Sequence, residues 1–247
     1  MKKTLSWIVT CCTIFLFSCK KDPEVIQTED ISTYAPLSVG KYIIYQLDSL
    51  VSRNQGASLV TVSYQVKHEV SAEITDNNNR PGYRITRYIR KAAPQAWVPD
   101  NSFLAINTGT SLEFVENNMR FIKLRLPIKN GFSWKGNSSL DTYSFNSDIK
   151  YLADWDYTYD SVDTQLSVGA LTIDSTIKVD QRDETIGNPI DFNAYSEVNV
   201  GTEYYAKGIG LVHRRFLHLE FQPPTPGVAG AYSDYSYGIT LTMLEHN

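Results

Sequence analysis

One long alternating stretch limits what this chain can fold into more than any other feature. Across residues 60–74, mostly apolar side chains occupy every second position, and Thr, Ser, Gln, Lys or Glu fill the positions between them. A period of two places the two sets on opposite faces of a β-strand. The stretch therefore predicts a long antiparallel strand with one buried face and one face in water.

Similar patterns recur between turn-forming segments along the chain. Sixteen Tyr and ten Phe, together with many Val, Ile and Thr, favour strands. We therefore predict an all-β fold of curved antiparallel sheet, as an open or half barrel or a sandwich, with at most one short helix. The further predicted strands are residues 42–51, 83–90, 103–107, 112–116, 120–126, 155–159, 171–179, 203–207, 211–221 and 232–244.

A short phrase that combines a proline turn, a glycine and an aromatic residue occurs twice. Its two forms are Pro36-Leu37-x-x-Gly40-x-Tyr42 and Pro127-Ile128-x-x-Gly131-x-x-Trp134. We predict one β-rich domain over residues 36–247. Either this domain contains two related β units, 36–126 and 127–247, or the two phrases are similar by coincidence.

The N-terminus has the pattern of a secretion signal. Lys2 and Lys3 precede an apolar run over residues 5–17. This run is shorter than the roughly 20 residues that a helix needs to cross a bilayer. We therefore predict that residues 1–18 are a cleaved signal peptide and not a retained transmembrane helix.

The end of this signal resembles the bacterial lipobox. The matching residues are Leu16-Phe17-Ser18-Cys19. The resemblance implies that the Cys19 thiol is alkylated with diacylglycerol, that the chain is cut before Cys19, and that the new amino group is acylated, for example with palmitate. Two or three acyl chains give a stable anchor, because each buried methylene contributes about 0.8 kcal/mol. The alternative is a chance cysteine in an apolar leader, which is how we interpret Cys11 and Cys12.

The segment after Cys19 resembles an export signal. Lys20-Lys21-Asp22-Pro23-Glu24 is similar to the lysine-then-acidic signal that sends lipoproteins of Bacteroidetes-type bacteria to the outer face of the outer membrane. The resemblance implies a lipid-anchored outer-membrane protein, exposed at the cell surface or, alternatively, facing the periplasm. Residues 19–35 are polar and without period, so we predict a lipidated cysteine followed by a flexible tether.

Composition excludes several classes of partner and site. All three cysteines lie at or before Cys19, so the globular part has none for disulfides or thiolate metal sites. The formal net charge is −4 and no basic patch stands out, so we do not expect nucleic acid as a partner. There is no Gly-x-Ser-x-Gly, His-Glu-x-x-His or glycine-rich phosphate loop in the sequence. We predict a non-enzymatic protein without a cofactor.

The potential metal ligands are not spaced for chelation. His213 and His218 are five residues apart on a predicted strand, which puts them on opposite faces. His68 lies in an apolar row, as a core or interface histidine does. The aspartates at positions 154, 156 and 160 alternate along a strand and lack the glycine and closing glutamate of a calcium loop. We therefore predict no metal site.

Aromatic side chains are the remaining candidates for ligand contact. They could stack on sugar rings, line an apolar pocket, or fill the core, and the core is the favoured interpretation. The candidates are Trp155, Tyr157, Tyr159, Tyr232, Tyr235 and Tyr237.

The phrases at positions 36–42 and 127–134 join a third, at positions 204–212. Its residues are Tyr204-Tyr205-Ala206-Lys207-Gly208-Ile209-Gly210-Leu211-Val212. Together they resemble a family of uncharacterised Bacteroidetes-type envelope lipoproteins. The resemblance implies an antiparallel β fold, such as the half barrel of periplasmic lipoprotein carriers, and implies no reaction.

Three functions are compatible with these features. The first is a non-catalytic binding or assembly module at the outer membrane, in contact with another envelope protein. The second is a periplasm-facing carrier of lipid or another apolar ligand. The third is a glycan-binding or glycan-degrading accessory protein.

Changing Cys19 to Ala tests the anchor. We expect wild-type protein from its native cells to carry acyl mass at Cys19 and the Cys19→Ala variant to carry none, because only the Cys19 thiol would be alkylated. Intact-mass measurement checks this, with Cys12→Ala as the control that keeps the acyl mass. Wild-type protein without acyl mass would contradict the prediction.

Overall fold

The structure is a computed structural model that describes residues 29–247, and most of its regular structure is strand. A four-residue helix, α1 (Ile31–Tyr34), precedes the strands, and one turn of 3₁₀ helix covers Lys150–Leu152. The strands are β1 (Tyr42–Arg53), β2 (Ser58–Thr75), β3 (Pro81–Arg90), β4 (Val98–Asn107), β5 (Ser111–Glu116), β6 (Met119–Arg125), β7 (Ser133–Lys135), β8 (Asp156–Val168), β9 (Leu171–Gly187), β10 (Ser196–Ala206), β11 (Gly210–Gln222), β12 (Ala231–Tyr232) and β13 (Tyr237–His246).

Twelve of these strands follow one path through a single antiparallel sheet. Their order is β6-β5-β4-β3-β2-β1-β13-β11-β10-β9-β8-β7, and β12 pairs with β11 beside this path. The sheet curls until its edge strands meet, where the Ile122 N–H donates to the Gly136 carbonyl at 2.8 Å. The indole Nε1 of Trp134 also donates to the Ile122 carbonyl, at 2.7 Å. The result is a nearly closed barrel, which confirms the predicted all-β fold with little helix.

The long alternating stretch forms β2, but its period breaks near one end. Val66 and Val70 are buried, as the pattern predicts. A bulge between Val70 and Ala72 shifts the pairing with β3 by one residue. Such an extra residue moves every later side chain to the other face. The prediction of a single face across residues 60–74 is therefore wrong beyond the bulge.

Several strands differ in extent from the sequence prediction. β8, β9 and β10 are longer than predicted, and Asp163 and Ser175 adopt positive φ angles of 57° and 55° within β8 and β9. These irregularities interrupt the alternation that would have revealed the full strands. The single strand predicted over residues 232–244 is instead β12 and β13, separated by a turn in which the Ser236 N–H donates to the Ser233 carbonyl at 2.9 Å.

The predicted tether ends earlier than residue 35. The carboxylate of Asp30 caps α1 by accepting from the Ser32 N–H at 2.7 Å, and Ile31 and Tyr34 are fully buried in the core. Residues 30–35 therefore belong to the folded domain. Cys19, the predicted signal peptide and residues 20–28 lie outside the described residues. Within residues 29–247, neither helix combines the length and the apolar character needed to cross a membrane.

The two proline-glycine phrases form equivalent turns. Gly40 and Gly131 adopt φ angles of +91° and +77°, in the region that favours glycine. The Gly40 N–H donates to the Val70 carbonyl at 2.9 Å, and the carbonyl of the following residue accepts from the Val70 N–H at 2.8 Å. Gly131 makes the same pair of bonds with Tyr159, at 2.8 and 3.1 Å. The boundary at 126/127 falls between β6 and β7, and a true repeat remains a prediction.

Aromatic rings fill part of the barrel interior. Trp155 stacks on Phe216 with 5.7 Å between ring centroids, and Trp134 lies 4.7 Å from Tyr159. The backbone of β10 comes close to this layer at Gly201. A Cβ atom on Gly201 would lie 2.7 Å from Cζ3 of Trp155, so the absence of a side chain there allows the indole to pack.

Replacing Gly201 by Ala should lower the free energy of unfolding by about 1–3 kcal/mol, because the new methyl group overlaps buried side chains. Urea unfolding measures this change. Thr202→Ala, on the opposite face of β10, is the control and should stay within about 0.5 kcal/mol of wild type. Equal losses in the two variants would show that the contact with Trp155 does not limit this position.

Candidate functional site: a cavity inside the barrel

The barrel encloses a cavity of about 130 Å³. Most of its wall is apolar, and the wall comes from inward-facing positions of strands on both halves of the barrel. An apolar cavity of about 150 Å³ in another protein binds benzene. The cavity therefore has room for an apolar group of roughly that size. Six of its apolar wall residues are Tyr45, Leu47, Val70, Phe103, Phe114 and Leu241.

The cavity reaches the surface at the end of the barrel that carries the N-terminal segment. Lys41 and Tyr42 line the cavity and are also partly exposed. Lys41 Nζ donates to the carbonyls of Gly208 and Asn247 at 3.2 and 3.4 Å. These bonds gather the N-terminal segment, the β10–β11 turn and the C-terminus around the opening, which we call the mouth.

Four of the charged side chains that line the cavity lie close together inside the barrel, and we call them the charge cluster: Glu116, Lys123, Glu203 and Arg214. Lys123 Nζ donates to Oε1 of Glu203 at 2.6 Å, and Arg214 Nη1 donates to Oε2 of Glu116 at 3.0 Å. Arg214 Nε lies 3.5 Å from Oε1 of Glu203, and the Tyr205 hydroxyl donates to Oε2 of Glu203 at 2.7 Å. The cluster thus links β5, β6, β10 and β11.

Mutual attraction favours the charged forms of the cluster, and burial opposes them. Burial opposes ionisation of Glu203, but Lys123 and Arg214 outweigh burial and hold the pKa of this carboxyl below its ordinary value. Burial likewise opposes ionisation of Glu116, and Arg214 is the main cation that keeps its pKa low. Burial lowers the pKa of Lys123 despite the attraction of Glu203. Removing one member of such a buried set typically costs about 3–5 kcal/mol.

His68 lies in the cavity wall beside this cluster. Its ring lies between those of Tyr45 and Phe103, at centroid distances of 5.0 and 5.3 Å. Its Nε2 atom is buried and makes no hydrogen bond within residues 29–247. Burial, assisted by the positive charges of Arg87 and Arg214, lowers the pKa of His68 to about 3. The ring is therefore neutral at physiological pH.

Three of the candidate aromatics lie in the core. Trp155, Tyr157 and Tyr159 are 1%, 2% and 0% exposed. Their polar atoms are all bonded internally: Trp155 Nε1 donates to the Tyr151 carbonyl at 2.7 Å, and the Tyr159 hydroxyl to the Arg125 carbonyl at 2.9 Å. The Tyr157 hydroxyl donates to a buried asparagine side chain. These three residues fill the barrel and do not form a platform for an external ligand.

The other three candidate aromatics do not form one platform. Tyr232 packs edge-on against Phe221 at 5.2 Å, whereas Tyr237 stacks on Phe216 at 5.1 Å. Tyr235 lies in the turn between β12 and β13 and is 52% exposed. The three residues do not share one strand, because the strand predicted over residues 232–244 is broken into β12 and β13.

The potential metal ligands have other partners. His213 and His218 lie on opposite faces of β11, as predicted, since the pairing with β13 is regular between them. His213 bonds to Thr242 at 3.2 Å, and His218 bonds to Asn199 at 2.7 Å. No group of three or more His, Cys, Asp or Glu side chains within residues 29–247 is arranged to hold a metal ion.

Sequence reasoning missed the charge cluster. One pattern in the sequence could have revealed it. Some charged residues occupy the same alternate positions of a strand as apolar residues that are buried. Glu116 continues the phase of Leu112 and Phe114, and Arg214 shares the phase of Phe216. A search for charges at inward-phase positions would have found both.

His68 should make the stability of the fold depend on pH. The neutral ring is favoured in the folded chain, whereas the unfolded ring takes up a proton below its ordinary pKa of about 6.5. The contribution of His68 to the free energy of unfolding is therefore fully present above this pKa of about 6.5 and is lost as the pH falls towards 3. From pH 7 to pH 5 the loss is about 2 kcal/mol.

Urea unfolding at the two pH values measures this loss. In His68→Phe the pH dependence should be smaller by that amount, because a phenyl ring does not titrate. His246→Phe, at an exposed position near the C-terminus, is the control and should keep the wild-type pH dependence. An unchanged pH dependence in His68→Phe would contradict the assignment.

Comparison with known proteins gives no match for this chain. No protein-family model matches it. No curated protein and no solved structure matches it either.

Proposed function

We propose that this protein is a lipid-anchored cell-envelope protein that binds an apolar ligand inside its barrel, without catalysing a reaction on it. Of the functions compatible with the sequence, the carrier of lipid or another apolar ligand has the best support. The observation that carries the proposal is the cavity of about 130 Å³ with a predominantly apolar wall and a mouth at the surface.

The apolar wall supplies the affinity in this proposal. Removing apolar surface from water contributes about 25 cal/mol per Å², so a ligand gains free energy in proportion to the surface it buries. The aromatic rings of Phe103 and Phe114 lie 5.4 Å apart at the wall and give a ligand rigid surfaces to contact. Rigid walls also limit the entropy that the protein loses on binding.

The position of the mouth suits a ligand that comes from a membrane. The mouth lies beside the segment that begins at Glu29, and the proposed anchor is Cys19. Residues 20–28 can span at most about 30 Å. The mouth would therefore stay within a short distance of the lipid surface, and the ligand would have little water to cross. Anchor and orientation are part of the proposal.

Binding of an apolar fluorescent dye tests this function. The full chain, purified in an uncharged detergent, should bind the dye saturably. Ala105 is 1% exposed and lines the cavity, so in Ala105→Phe the new ring occupies ligand space. We expect Ala105→Phe to weaken dye binding at least about tenfold, which corresponds to about 1.4 kcal/mol.

Val98→Phe is the matched control, because Val98 lies on the same strand β4 but is 57% exposed. It should bind the dye like wild type. A melting curve of each variant verifies folding. The proposal fails if wild-type protein neither binds the dye nor releases a bound lipid or other apolar molecule, detected by mass spectrometry, on extraction with organic solvent.

A further inference from the structure

The charge cluster offers more hydrogen-bond donors than it uses. Arg214 carries five N–H groups, yet within residues 29–247 it makes one hydrogen bond, from Nη1 to Glu116. Lys123 carries three and makes one, to Glu203. Among the described residues, the buried Nε atom of Arg214 has no hydrogen-bond partner. Buried donors without acceptors are unfavourable, so this part of the cavity is suited to a group that accepts hydrogen bonds.

Each carboxylate of the cluster is already paired with one of its cations. Glu203 already accepts from Lys123 and from the Tyr205 hydroxyl, and Glu116 accepts from Arg214. Elsewhere in the lining, Arg87 is paired with Asp100 at 2.5 Å, whereas Lys41 at the mouth bonds to backbone carbonyls and not to a carboxylate. Across the lining, the two cations of the cluster balance its two carboxylates and Asp100 balances Arg87, so the excess positive charge is that of Lys41 at the mouth and favours the approach of an anion.

Apolar wall lies between Arg214 and the mouth, and also beside Arg214, whose pairing partner on β13 is Leu241. Leu211 lines the cavity at the mouth, beside the β10–β11 turn, and Arg214 is three residues farther along the same strand. This step corresponds to about 10 Å. A ligand that places its polar group at Arg214 therefore has room for a short apolar tail between that group and the mouth.

We infer that the ligand is a single-chain anionic amphiphile of the fatty-acid class, bound with its carboxylate inward at Arg214 and Lys123 and its tail towards the mouth. This inference rests on the proposed function and specifies the ligand for the same cavity. Charge-assisted hydrogen bonds from the two cations hold the carboxylate, and the apolar wall holds the tail.

Decanoate and decanol are the probes that test the head group, since they have chains of equal length; each chain is longer than the cavity, so its outer carbons lie in the mouth. Equilibrium dialysis of the full chain in an uncharged detergent at pH 7.5 gives each affinity relative to free ligand. We expect decanoate to bind at least about tenfold more tightly than decanol, the effect of one hydrogen bond to a charged group. Equal binding, or tighter binding of decanol, overturns the inference but leaves the apolar-ligand function intact. If neither probe binds, both fail.

A pair of variants locates the carboxylate. Arg214→Gln should weaken decanoate binding at least about tenfold and leave decanol binding within about twofold of wild type. Arg215→Gln, at the next and exposed position of β11, should bind both probes like wild type. Unchanged decanoate binding in a folded Arg214→Gln protein overturns the inference. If Arg214→Gln does not fold, the comparison of decanoate with decanol on wild-type protein still tests the inference.

Discussion

The rest of the structure depends on how this chain protects the two edges of its sheet. Edge strands present unpaired backbone N–H and C=O groups, which invite association with other chains. Here the sheet curls until β6 and β7 meet at Ile122 and Gly136. Curling turns one face into an interior. Every side chain on that face must then be apolar, paired with a partner, or placed in a cavity.

The interior meets this requirement in two ways. Around Trp155 and Phe216, aromatic rings fill the space and their polar atoms bond to neighbouring groups. Around Arg214 and Glu203, charges neutralise one another next to open space. Buried ion pairs of this kind contribute little net stability compared with apolar side chains of equal volume. Stability alone therefore does not account for the charge cluster, and departures from an apolar core are expected at functional sites.

Much of the fold could be predicted from the sequence, because an alternation with period two is a local property. Most predicted strands overlap observed ones, and the equivalent turns at Gly40 and Gly131 were visible as a repeated phrase. Bulges hid the ends of other strands, because one extra residue reverses the phase. The helix α1 escaped prediction since four residues are too short to show a helical period, and its burial depends on tertiary contacts.

The cavity could not be predicted for a different reason. A lysine in a strand normally faces water, and nothing local distinguishes Lys123 from Arg125, two positions along on β6. Lys123 is 5% exposed because the curled sheet brings Glu203 to it, eighty residues away in the chain. Which charges become buried follows from how the sheet closes, and closure is set by the whole set of strands.

The seam between β6 and β7 gives the barrel uneven stiffness. Among the residues that the structure describes, one backbone hydrogen bond between Ile122 and Gly136 joins the two edges there, and the side chains of Trp134 and Tyr159 add bonds to the backbone of β6. Between β1 and β2, by contrast, the pairing runs without interruption from Tyr42 to Arg53. Separating β6 from β7 breaks one backbone hydrogen bond, whereas separating β1 from β2 breaks a whole ladder, so the wall is weaker along the seam than along β1 and β2. Opening the barrel at this seam would therefore disturb less of the backbone pairing than opening it between β1 and β2, and the other strands could keep their register.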